Sequence, residues 1–173
     1  MLFAGLLIEY YNCMDKPQLR ETYTALRQRM SYTEVRLKTQ KISEQFVAYM
    51  NLSPRHILIY TPLRKFNEID PVFIKKVFPK ATLAIAPFDK NGRISDNKQF
   101  DLIIVPMVAA DLKCHRLGFG GGWYDRFLST QPNSVKVGLC YDSCVIETLP
   151  YESHDIALDA IITDKRVITA QVE

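Results

Sequence analysis

A chain of 173 residues with 47% hydrophobic and 24% charged residues is long enough for one well-filled core and too short for two comfortable ones. Its net charge of +3 is too small to argue for a nucleic-acid partner, though it suits a locally positive site for an anionic substrate. Four cysteines without a C-x-x-C pair and three histidines without an H-E-x-x-H motif argue against a disulfide framework and a zinc site, and for reduced thiols in a cytoplasmic setting.

The chain opens on the apolar run Met1 to Ile8, but no basic stretch precedes it and Glu9 cuts it short. Such a run neither spans a bilayer nor makes a signal peptide, so no membrane association is expected. Residues 1–13 read as an extension, either a structured extra element or a segment ahead of a start at Met14. Residues 14–173 are expected to form one domain.

Asp15 suits an N-cap and Pro17 the first turn of a helix that continues through Leu19, Tyr23, Leu26 and Met30. Ser31-Tyr32-Thr33-Glu34 is a capping box, predicting a second helix through Val35, Ile42, Phe46 and Met50 that ends at Asn51 to Pro54. A strand is expected from His56 to Thr61, a helix from Asp70-Pro71 to about Phe78, and a strand from Ala81 to Ala86. Phe88 to Gln99 is a polar loop with an Asn91-Gly92 turn signal. Asp101 to Val105 is an unbroken apolar strand of the kind buried on both faces. A helix over Trp123 to Leu128 follows, then strands at Val135–Tyr141, Ala160–Thr163 and near Arg166–Ala170. Strands alternating with helices predict an α/β three-layer sandwich with a mostly parallel, Rossmann-like sheet. Ligands in such folds lie beyond the carboxyl ends of the strands.

Four of the seven glycines fall between Gly118 and Gly122, after the Leu102–Val105 run and before the Trp123 helix. Glycines there let the backbone come close to a ligand, and free N–H groups at a strand-to-helix turn favour an anion such as phosphate. Arg116 and Arg126 bracket the loop, and Asp125 offers a hard oxygen suited to Mg²⁺. No Gly-Lys-Ser/Thr follows, and Trp123 stands where a dinucleotide fingerprint would have its third glycine. A plain glycine turn with no ligand is the other reading of the loop.

Taken with the first helix, these segments resemble the 5-formyltetrahydrofolate cyclo-ligase (methenyltetrahydrofolate synthetase) family. Its K-x-x-L-R opening and following arginine and serine correspond to Lys16, Leu19, Arg20, Arg27 and Ser31. Its central signature corresponds to Asp101 through Pro106, Asp111, and Arg116 through Asp125. Its ending corresponds to Leu149-Pro150-Tyr151-Glu152-Ser153-His154-Asp155, then Asp159-Ala160-Ile161-Ile162-Thr163. The resemblance covers roughly residues 14–168 and rests on three separated motifs in the right order.

The resemblance implies an enzyme that uses ATP and Mg²⁺ to convert 5-formyltetrahydrofolate to 5,10-methenyltetrahydrofolate. The formyl oxygen attacks the γ-phosphate, N10 closes the ring, and ADP and phosphate leave. It implies that Lys16 and Arg20 reach the ATP phosphates; one helical turn apart, they share a face. Arg116, with Leu117, Gly118, Phe119, Gly120, Gly121 and Gly122, would cradle the triphosphate, with Arg116 and Asp125 as the catalytic pair. Asp125 and Asp159 would be the Mg²⁺ carboxylates. Trp123 and Tyr124 border the nucleotide and suit stacking on a pterin or base, or ordinary core packing. Glu68 would hold the pterin, although Pro71 replaces the family's threonine; a solvent-facing glutamate at a helix start is the alternative.

His154-Asp155 reads as a loop pair rather than a catalytic dyad. Cys114, where the family usually has glycine, is expected to have no nucleophilic role. The segment between Pro87 and Asp101 is shorter than in typical members and lacks the aromatic-x-[IV]-x-E-P element beside the folate site, and Cys144 stands where glutamine is usual. The partners implied are a folate and ATP, for a monomer or weak dimer; a nucleotide-binding paralogue with lost or altered folate activity is the second reading.

Overall fold

The computed structural model describes residues 14–86 and 98–170. The expected N-terminal extension and most of the Phe88–Gln99 loop, including the shortened stretch before Asp101, lie outside the described residues.

Helix α1 spans Lys16–Gln28 and α2 spans Tyr32–Tyr49. Both begin with complete capping boxes, Asp15 with Gln18 and Ser31 with Glu34, in which each side chain bonds the other residue's backbone N–H. Strands β1 (His56–Ile59) and β2 (Thr82–Ile85) follow. Between them a 3₁₀ turn at Pro71–Phe73 runs into the single helical turn α3 (Ile74–Val77). Asp70 caps this element by accepting from the Val72 N–H. Strand β3 is Leu102–Val105, buried at every position as its apolar run requires. After the glycine loop come α4 (Trp123–Ser129) and β6 (Val135–Leu139), and the chain closes with β8 (Ala160–Ile162) and β9 (Val167–Thr169).

The main sheet has the order β2-β1-β3-β6-β8-β9, parallel throughout except for the last pair. The chain passes from β1 to β2 through α3 toward one edge of the sheet and from β3 to β6 through α4 toward the other, and the usual right-handed crossover would put the two connections on opposite faces. Phe46 of α2 joins the α3 side, meeting Phe73 and Phe78 edge-on at 5.6 and 6.2 Å. The order reverses between β1 and β3. Loops leaving those two strands must diverge, and a crevice opens at their carboxyl ends.

Three short strands escaped the sequence reading. β4 (Ala109–Asp111), β5 (Arg116–Leu117) and β7 (Val145–Ile146) form a separate sheet in the order β5-β4-β7. Strands of two or three residues are too short to show a period, so only the pairing reveals them. This small sheet matters because β5 presents Arg116 and launches the glycine loop.

Candidate functional site

A cavity of about 390 Å³ lies at the strand-order reversal, with Leu63 and Glu68 beyond β1 on one side and Pro106 beyond β3 on the other. Helix α1 brings Lys16 and Arg20 to it, because positions 16 and 20 fall on one stripe of the helix. The whole of Arg116 to Asp125 contributes the opposite wall, and Glu152 and Asp155 complete the rim. The site is thus assembled from five separated chain segments.

The glycine loop has the backbone its composition suggests. Gly120 and Gly122 take φ of 98° and 60°, the left-handed region that side chains avoid. A Cβ at Gly122 would come 2.9 Å from Arg126 Nη1. Gly118 and Gly121 have ordinary φ, and a Cβ on either would meet no atom within 4 Å. Their lack of a side chain serves open space at the cavity wall rather than the fold.

The charged groups are mutually engaged. Arg20 Nε donates to the Gly118 carbonyl at 2.9 Å, fastening the loop to α1. Lys16 Nζ donates to Asp155 Oδ2 at 2.7 Å and Glu152 Oε1 at 2.9 Å. Partial burial alone would lower its pKa, but the two carboxylates outweigh that and hold it above its ordinary value. Arg116 has a nearly buried guanidinium that donates to Asp125 Oδ1 at 2.6 Å and to the Ile156 carbonyl at 2.5 Å. The fork assigned to phosphate is therefore turned onto protein groups. Its role here is to fix Asp125, which also accepts from the Ile156 N–H at 3.1 Å.

Asp159 is the one expected site residue that the structure does not bring to the cavity. It precedes β8 at the amino end of the sheet, and its Oδ2 accepts from the Lys136 N–H at 2.6 Å. Because β6 and β8 run parallel, a residue that pairs with the start of β6 lies at the edge away from the carboxyl-end crevice. Its aspartate is explained there as a cap on an unpaired strand-end amide. Among the described residues no group of three or more His, Cys, Asp or Glu side chains forms a ready metal cage. A cation at this cavity would rest on Asp125 together with ligand oxygens, the way Mg²⁺ is commonly held beside phosphates.

Glu68 is buried rather than solvent-facing, and Asp70, not Glu68, caps the following turn. Its Oε2 accepts from the Leu63 N–H at 2.7 Å. Burial raises its pKa, against the pull of that N–H and of Arg27. Trp123 and Tyr124 both line the cavity and pack on the core, Trp123 stacked on Phe127 at 5.2 Å and edge-on to Tyr124 at 4.7 Å. The Tyr124 hydroxyl is buried without a partner, and burial drives its pKa far up, so it stays a neutral phenol. Phe119 is exposed at the rim and meets Phe66 at 5.2 Å.

Asp155 is committed to Lys16 and to the Glu152 N–H, while the exposed His154 stays 3.9 Å away. That is a loop clasp, not a dyad. Cys114 is buried with φ of 64°, which accounts for a preference for glycine there, and burial pushes its thiol up to about 11. A thiol so raised is a poor nucleophile at neutral pH. Arg27, named in the sequence only as part of the opening motif, is buried and shares a small crevice with Glu68 apart from the main cavity. Positions 16, 20 and 27 share one stripe, a signal present in the sequence.

Known proteins bear directly on this geometry. The 5-formyltetrahydrofolate cyclo-ligase family matches the chain over residues 58–164. The 5-formyltetrahydrofolate cyclo-ligase of Mycoplasma pneumoniae is 30% identical over 165 residues, 88% of this chain and 100% of the relative. That of Mycoplasma genitalium is 28% identical over 162 residues, 86% of this chain and 98% of the relative. Among solved structures, a 5,10-methenyltetrahydrofolate synthetase from Mycoplasma pneumoniae superposes with a TM-score of 0.72 at 25% identity, covering 88% of this chain and 100% of that one. The synthetase of Aquifex aeolicus gives a TM-score of 0.74 at 25% identity, over 92% and 95% of the two chains.

Proposed function

The chain belongs to the 5-formyltetrahydrofolate cyclo-ligase family, and from that premise we propose that it closes the ring of 5-formyltetrahydrofolate to give 5,10-methenyltetrahydrofolate at the expense of ATP. The observation that carries this reading is one cavity lined by Lys16, Arg20, the backbone of Gly118 to Gly122, Asp125 and Glu68. Cations, an open glycine cradle and a hard oxygen suit a triphosphate; a buried carboxylate at the other end suits the N–H groups of a pterin.

The chemistry asks for positioning and charge neutralisation more than for covalent help. Lys16 and Arg20 would face the phosphates from one side. Loop N–H groups would face them from the other, with Gly118 and Gly121 leaving the room that a side chain would fill. Arg116 orients Asp125, the residue that would hold Mg²⁺, whose contribution when bound is to neutralise charge on the phosphates. Glu68 would accept from the pterin and set the formyl oxygen toward the γ-phosphate. Attack by that oxygen displaces ADP and leaves the formyl carbon as an N5 iminium phosphate. N10 adds to that carbon and loses its proton, and phosphate departs carrying the former formyl oxygen. Trp123, Tyr124 and Phe119 give the chamber an apolar wall, which would reduce access of competing water once the ligands fill it.

We further read residues 14–173 as one domain working in the cytoplasm as a monomer or weak dimer. Among the described residues Cys114, Cys140 and Cys144 are buried free thiols, which supports a reducing compartment. Among the described residues no helix is long and apolar enough to cross a membrane. Mixing the protein with MgATP and 5-formyltetrahydrofolate and following near-ultraviolet absorbance tests the activity. Growth of the methenyl band supports it; ATP binding without that band would replace it with the nucleotide-binding paralogue.

A further inference from the structure

Three buried side-chain atoms among the described residues have no hydrogen-bond partner, Arg27 Nη2, Glu68 Oε1 and Tyr124 Oη. They converge on one place. Glu68 and Tyr124 line the main cavity, and Glu68 shares with Arg27 a second crevice directly behind it, with no room for a water-sized sphere. No water therefore bridges Arg27 Nη2 to Glu68 inside that crevice, whereas Glu68, which also lines the main cavity, can be reached from that side. Stranding a guanidinium nitrogen in a dry interior is costly, and an apolar side chain of similar size would fill the space at lower cost. Stability does not account for an arginine here.

We propose that Arg27 is a positioning residue that sets the aim of Glu68, the carboxylate that receives the heterocycle; the proposal rests on the function inferred above. Arg27 Nε donates to the Phe66 carbonyl at 3.0 Å and Nη1 to the Met107 carbonyl at 2.7 Å. Those two carbonyls belong to the loops that leave β1 and β3, so one guanidinium spans the divergence that makes the site. The residue between Phe66 and Glu68 is Asn67, in the left-handed region at φ 49°. Its Nδ2 donates to the Arg27 carbonyl at 2.8 Å and the Met30 carbonyl at 3.1 Å, and its own carbonyl accepts from the Tyr141 hydroxyl at 2.9 Å. The backbone leading into Glu68 is thus held at two successive residues by the end of α1. The Leu63 N–H fixes Oε2, leaving Oε1 as the open acceptor.

The other groups bearing on Glu68 are the phenols of Tyr60 and Tyr124, both kept neutral by burial. The Tyr60 hydroxyl donates a hydrogen bond to the Ile69 carbonyl at 2.7 Å. Arg27 is left as the opposite charge that offsets burial of the Glu68 carboxylate. Lys16, Arg20 and Arg27 lie on one stripe of α1, so the helix that faces the nucleotide at one end would steady the folate at the other.

The test uses the full chain with Arg27→Met, Arg27→Lys, Glu68→Gln and the double variant Arg27→Met/Glu68→Gln. Arg27→Met and Arg27→Lys should each raise KM for 5-formyltetrahydrofolate about tenfold or more, the weight of a charge-assisted contact, with KM for ATP within about twofold of the parent. The double variant should be no worse toward the folate than Glu68→Gln alone. Equal rises in both KM values, or losses that add in the double variant, would overturn the proposal. Should Arg27→Met fail to fold, Arg27→Lys carries the same comparison. Melting midpoints of the four proteins give a readout without substrate, in which Arg27→Met should cost less in the Glu68→Gln background than in the parent. If the parent turns over no 5-formyltetrahydrofolate, the functional reading falls and this melting cycle alone decides Arg27, with coupling upholding it and additivity overturning it.

Discussion

Lys16 Nζ sits 2.7 Å from Asp155 Oδ2, so the first helix clasps a segment 139 residues away that closes the far rim of the cavity. A lysine so placed has to exchange or share its carboxylates when phosphate arrives. Lys16→Met should therefore raise KM for ATP about tenfold or more, the loss of one charge-assisted contact. The clasp is partly exposed, so its loss should cost about 0–1 kcal/mol of stability. ATP titration and a melting curve on one sample read the two effects; a large melting shift with unchanged ATP affinity would contradict the assignment.

The four loop glycines divide by cause. Gly122→Ala places a side chain at φ of 60° and within 2.9 Å of Arg126 Nη1, and should lower stability by roughly 1–2 kcal/mol. Gly118→Ala and Gly121→Ala meet nothing within 4 Å and should melt like the parent, yet weaken ATP because the new methyl enters the cradle. Unchanged ATP affinity in both would reduce the loop to a turn.

Arg116 and Asp125 form the best-buried ion pair of the site, at 2.6 Å. Arg116→Lys loses the fork that joins Asp125 to the Ile156 carbonyl, and should cost on the order of 2 kcal/mol, between the exposed and fully buried cases. Asp125→Asn keeps the shape but removes the anion facing the nearly buried Arg116 guanidinium. It should lose Mg²⁺-dependent turnover by about a hundredfold or more and also cost stability on the order of 2 kcal/mol. Rates across a Mg²⁺ titration, set beside the melting points, separate the two variants.

Glu68 gives a pH signature. Burial raises its folded pKa above the ordinary 4.5, so the ionised carboxylate costs stability at neutral pH, and that cost vanishes as pH falls below the ordinary value. Glu68→Gln should therefore melt higher than the parent at pH 7 and converge with it below about pH 4.5. Folate KM should rise in the same variant. A lower melting point for Glu68→Gln at neutral pH would reverse the sign of this argument.

The sequence by itself determined the regular elements, the near-continuous apolar strand β3, both capping boxes and the order of the three motifs. These are local properties, written in spacings of a few residues along the chain. It also brought Lys16 and Arg20 onto one stripe, and Arg27 with them, although nothing local says that the third arginine is buried. Only the tertiary structure decided the partners. Lys16 finds Asp155, Arg116 turns its fork inward onto Asp125 and Ile156, Glu68 is drawn out of solvent, and Asp159 goes to the Lys136 amide at the other edge of the sheet. The short β5-β4-β7 sheet that presents Arg116 belongs with them. Each of these depends on which segments meet across long separations in the chain. Pairing energy there is set by distance and desolvation in the folded interior, and residue order alone carries neither.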